Sequence, residues 1–259
     1  MIPTLTIVSI CFSVICSLVV PVAVWIYLIK KDKNMNRYIL LGMFGFFAAQ
    51  IVVRVPILQL LAGQQWFSDM SNGNPVLYSL FLSFTTALFE TAGRFIILKF
   101  IVKNDVGFQS GLGTGFGHGA CETLAYVGLT SIVNLTVCIM INTNSLVGNE
   151  NYEAIKESVA SQSPSTFFAA GSERLLAMLI HIGISVIMAY FIKKEQPLFS
   201  LCAGFSVHCI YDFTVMLISQ AEISVWLTIL AMAFFASLIT AASIKIRQQE
   251  KTDGPKLIK

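Results

Sequence analysis

The stretch LTIVSICFSVICSLVVPVAVWIYLI, Leu5 to Ile29, runs without a charged residue and meets Lys30, Lys31, Asp32 and Lys33 at its end. A helix of about 20 apolar residues crosses the hydrocarbon of a bilayer, and Lys and Arg collect on the cytoplasmic side of such crossings. Leu5–Ile29 therefore reads as a membrane span entering from outside. It is too long for the apolar part of a signal peptide and lacks the basic start and small-residue cleavage site of one, so it reads as a retained first span.

The same pattern recurs along the chain. Seven spans are predicted, at roughly 4–29, 38–62, 76–102, 109–141, 172–192, 197–219 and 223–245, giving an all-α, polytopic helix bundle that occupies 1–259 as a single integral-membrane domain. Lys30, Lys31, Lys33, Arg37, Lys99, Lys103, Lys193, Lys194 and the tail from Lys245 onward fall on one side, and Lys156 is the only basic residue in the opposite loops. The expected topology has the N-terminus outside and the C-terminus cytoplasmic, in a plasma membrane of bacterial type. The polar connection from Asn142 to Gly171 is read as an outer loop, in which NYEAIKESVASQ (151–162) forms a short surface helix serving as connector or lid.

Composition excludes other classes. Of 259 residues 56% are hydrophobic and 12% charged, with a mean hydropathy of +0.75, outside the range of soluble domains. The net charge of +3 is dispersed in short clusters between spans, which argues against a nucleic-acid partner. The six cysteines lie in apolar segments without a CxxC pair, so neither a disulfide framework nor a zinc knuckle is expected.

Ionisable groups inside the spans are costly unless they face a polar cavity or a partner. The second span carries Arg54, the third Glu90 and Arg94, the fourth His118 and Glu122, the fifth Glu173, Arg174 and His181, and the sixth His208 and Asp212. At ~1.5 Å per helical residue, Glu90, His118, Glu122, His181, His208 and Asp212 fall ~14 to 23 Å from the cytoplasmic ends of their helices. Four helices thus bring polar groups to one layer. Glu90/Arg94, His118/Glu122 and His208/Asp212 are each spaced i,i+4, on one helix face. For Glu173 and Arg174 the alternative to a place in that layer is the outer interface.

The fourth span opens on alternate glycines, with GTGFGHGACETL at 113–124. Gly111, Gly113, Gly115, Gly117 and Gly119 do not share a helix face, and each costs ~1 kcal/mol of helix stability relative to Ala. A broken or re-entrant start is expected, with close backbone approach or local unwinding beside His118. No nucleotide loop is present, since no GK[ST] follows.

Three imidazoles with carboxylates suit a zinc-type site and hydrolysis of a substrate bond. They equally suit a secondary transporter or proton-coupled carrier with a buried His/Glu/Asp relay. HExxH is absent. FETAGR (89–94), GFGHGACE (115–122), ERLLAMLIH (173–181) and VHCIYDF (207–213) together resemble the YhfC family of intramembrane metalloproteases. More distantly they resemble the PrsW and CAAX-prenyl-protease/bacteriocin-processing group, with its EExxxR, FxxxH or FxxxE, and HxxxN or HxxxD motifs. The likeness covers about 88–213.

The resemblance implies an intramembrane protease acting on a membrane-protein or peptide substrate within membrane lipid. It places Glu90 and Arg94 on the first motif, Glu122 at the end of the second, and His208 with Asp212 on the last. Phe89 stands where the wider group has its first glutamate, and His118 where those relatives have phenylalanine. His118, His181 and His208 are then candidate ligands of zinc, and Glu122 is a fourth ligand or the base. Glu90 is the alternative base, and a metal-free glutamate mechanism stays open. Arg94 would orient Glu90 or hold a developing oxyanion, and Asp212 would orient His208.

Overall fold

The computed structural model describes residues 1–145, 150–221 and 223–252. Positions 146–149 of the polar connection and the tail 253–259 lie outside the described residues. The described part is helical, with no strand among the described residues, and seven helices are long and apolar enough to cross a membrane. These are Thr4–Lys31, Met35–Ala62, Pro75–Asp105, Phe108–Asn142, Pro164–Lys193, Pro197–Gln220 and Val225–Thr252, called the first to seventh spans below. Each of the first four contains a π-helical stretch, at Ile15–Val19, Phe47–Arg54, Ile97–Val102 and Leu124–Gly128.

The fifth span is the axis of the bundle. Its apolar residues run all round the helix, as expected of a helix enclosed on every side, and it packs against the first, fourth, sixth and seventh spans. Ile180, Ile184, Met188 and Ala189 are fully buried in the largest apolar core, together with Leu98, Tyr211 and Met232 from three other spans. Outward-facing Leu, Ile, Val and Phe on the other spans are exposed in the isolated chain, which suits surfaces that meet lipid tails.

Two boundaries differ from the sequence reading. The fifth span starts at Pro164 rather than near 172, so 164–171 belongs to the helix and not to the outer loop. Proline fits a first helical turn, and the added turns are held by the first span: Ser13 Oγ donates to the Phe167 carbonyl at 2.5 Å. The seventh span continues to Thr252 rather than stopping at 245. Its last turns are held by Glu250, which pairs with Lys193 at 3.1 Å and accepts from the Phe108 backbone N–H at 3.2 Å. Two short helices flank the spans on the opposite side, Gln65–Gly73 and Tyr152–Ala160. The second realises the expected surface helix and buries Val159.

The glycines of the fourth span do not break it. Phe108–Thr123 is a continuous α-helix, and the departure to π geometry comes later, at Leu124. Two interleaved i,i+4 rows face two neighbours. A β-carbon at Gly115 would stand 2.5 Å from the His181 carbonyl oxygen and Ile182 Cα, and at Gly111 and Gly119 it would crowd Val186 and Met178 of the same span. At Gly117 it would strike the Ile39 carbonyl of the second span, and at Gly113 it would stand 2.6 Å from Tyr38 Cβ. Small residues let helix backbones meet in a membrane, where packing drives association. The helical cost of five glycines is offset by two close interfaces, which bring His118 between the second and fifth spans.

Candidate metal centre

His118 projects from this tightly held part of the fourth span, with the edge of Phe46 against its ring at a centroid distance of 5.1 Å. Its Nε2 lies 2.7 Å from Glu90 Oε2 of the third span. One helical turn beyond Glu90, Arg94 returns its Nη2 to the same oxygen at 3.1 Å. The guanidinium is 1% exposed and also meets two rings: Nη2 is 2.6 Å from His181 Nδ1 and Nη1 is 3.4 Å from His208 Nδ1. A guanidinium only donates, so both Nδ1 atoms accept and both rings carry their proton on Nε2.

On the other side of the rings stands Glu122. Its Oε1 accepts from Arg174 Nη1 at 3.1 Å, and its Oε2 is 2.5 Å from His181 Nε2. Arg174 also contacts Glu173. His208 Nε2 lies 3.4 Å from Asp212 Oδ2 and 3.7 Å from Glu90 Oε2.

Glu90, His118, Glu122 and His181 each offer one ligand atom, and these atoms lie within 4.8 Å of one another. Two nitrogens and two carboxylate oxygens are a donor set for zinc and similar divalent metals. In the network of direct contacts three carboxylates (Glu90, Glu122, Glu173) meet two arginines (Arg94, Arg174), and Asp212 meets His208. The surplus is negative, so the residues fit a metal ion.

The structure thus gathers all three histidines, Glu90, Arg94, Glu122 and Asp212 in one centre. His208 lies outside the four-donor group, and Glu90 lies within it. Arg174, for which the sequence left an interface place open, is buried among the helices and holds Glu122. The sequence carried a signal for it, since Arg174 and His181 are two helical turns apart on one face. Arg54 stays between the second and third spans, donating to Thr85 Oγ1, Gln50 Oε1 and the Leu82 carbonyl. The centre is unevenly enclosed. The side chains of Glu90 and the histidines are 1–3% exposed, against 14% for Glu122, 19% for Asp212 and 33% for Glu173. It opens away from the basic end of the bundle, towards which none of those three residues is the nearer group on its helix.

Fold and site together define a multi-pass helical membrane protein with an enclosed histidine and carboxylate centre able to hold a metal. The chain belongs to the YhfC intramembrane metalloprotease family, whose model matches residues 16–234. It is 25% identical over 235 residues to the uncharacterized membrane protein YhfC of Bacillus subtilis (strain 168), covering 86% of this chain and 88% of that one. No solved structure matches the chain.

Proposed function

We propose that the chain is an intramembrane metalloprotease that hydrolyses a peptide bond of a membrane-protein or peptide substrate in or near the bilayer. The observation that carries this reading is the four-donor group of Glu90, His118, Glu122 and His181. Glu90, His118 and His181 would hold the metal, with zinc the ion best suited to this donor set. When bound, the metal supplies a Lewis acid that polarises the scissile carbonyl and activates water.

The remaining chemistry falls to the chain. Glu122 is the more open of the two central carboxylates, so it is the group that an entering water reaches. It takes a proton from that water as the oxygen bonds to the carbonyl carbon, and returns it to the departing amine nitrogen as the C–N bond breaks. Arg174 holds Glu122 in place. Arg94 orients Glu90 and His208, and Asp212 orients His208. A substrate helix must unwind to present its backbone, which hydrocarbon permits only inside a protein-enclosed polar cavity.

The test combines metal content with cleavage. Protein purified in detergent is expected to hold about one metal ion per chain, lost in His118→Ala. Mass spectrometry of new N-termini in membranes is expected to find products made by the wild type and missing with Glu122→Gln. Metal-free protein with no Glu122-dependent termini overturns the reading, and proton-gradient-driven solute uptake by that protein would establish a carrier instead.

A further inference from the structure

At the basic end of the bundle, lined by none of the residues of the metal centre, a cavity of about 450 Å³ lies between the first, second, fourth and seventh spans. Its floor is apolar, made by Leu28, Met35 and Leu112. Its rim carries two exposed cations, each set against an aromatic ring. Lys31 Nζ is 5.8 Å from the Tyr27 ring centroid, and Arg247 Cζ is 5.4 Å from that of Phe108. Neither cation makes an ion pair among the described residues, although Lys193 nearby is paired with Glu250. The one carboxylate of the lining, Asp32, is engaged in accepting from the Asn34 backbone N–H at 2.9 Å.

We infer that this cavity binds the headgroup of an anionic phospholipid. The phosphate sits between Lys31 and Arg247, and the glycerol and first acyl carbons lie on Leu28, Met35 and Leu112. Two features select a lipid over a soluble phosphate. The cavity stands where apolar spans give way to basic ends, the level of a headgroup, and basic pockets between membrane helices at that level take anionic lipids. A free phosphate would match the rim and leave the apolar floor without a partner. The inference is independent of the chemistry proposed for the metal centre.

Native mass spectrometry of the full chain in neutral detergent, titrated with phosphatidylglycerol or phosphatidylcholine, tests it. Phosphatidylglycerol is expected to bind preferentially, and Lys31→Gln with Arg247→Gln to weaken that binding roughly 30-fold, the effect of two cations near a charged surface. A photoactivatable phosphatidylglycerol on the unsubstituted protein is expected to label the Tyr27–Met35 and Phe108–Leu112 segments, whatever the fate of the variant. Equal binding of the two lipids, unchanged affinity in a folded double variant, or labelling confined to other segments overturns the inference. So does displacement of the lipid by an equal concentration of glycerol phosphate, which would mark a site for soluble phosphate.

Discussion

Arg94 Nη2 lies 2.6 Å from His181 Nδ1, and this contact decides which nitrogen of the ring carries its proton. With Nδ1 accepting, Nε2–H faces Glu122. A neutral ring that gives Nε2 to a metal must carry its proton on Nδ1 instead, and a guanidinium cannot accept it. Metal loading through His181 and the Arg94 contact therefore compete. Arg94 also places a positive charge 3.1 Å from Glu90 Oε2. Arg94→Met is expected to bind divalent metal about tenfold more tightly or better, measured by competition with a chelator in detergent. Weaker binding would show that Arg94 supports the loaded state.

Glu122→Gln keeps the volume of the side chain and removes its charge. It is expected to lower proteolysis by about 10²-fold or more, the scale of a lost general base, with folded yield retained. Cleavage at the wild-type rate would remove Glu122 from the mechanism.

Glu90→Gln is expected to fail differently. It leaves the buried Arg94 without its carboxylate, and an unpaired buried charge costs ~3 to 5 kcal/mol, so folded yield should fall together with activity. Glu90→Gln with Arg94→Met removes both charges and should restore yield, read by size-exclusion chromatography. A folded double variant that still cleaves would show that Glu90 is dispensable to the chemistry.

The glycine rows make a structural prediction. Gly117→Ala drives a methyl group into the Ile39 backbone, and overpacking of this kind costs ~1 to 3 kcal/mol. Gly73→Ala, which meets nothing within 4 Å, is the control. Thermal unfolding in detergent should fall by several degrees for the first and stay unchanged for the second.

The charge distribution predicts the orientation. Reporter fusions after Lys194 and after Gln162 should score cytoplasmic and external respectively. The reverse result would invert the topology, and the same side for both would remove a span.

The number of spans and the identity of the buried polar groups were legible in the chain because both rest on local quantities: the length of an apolar helix against the hydrocarbon thickness, and the cost of a charge within it. Glu90, His118, His181 and His208 could be assigned to one layer by counting rise along each helix. Which atoms meet within that layer was not legible. Arg94 reaches His181 and His208 across separations of 87 and 114 residues, and those contacts depend on how each helix is rotated about its axis. Rotation is set by packing on several faces at once. The glycines of the fourth span, read alone, weaken a helix; set against Ile39 and Ile182 they fix its depth and turn. That packing put Glu90 in the four-donor group with His208 beside it, and set Arg174 against Glu122.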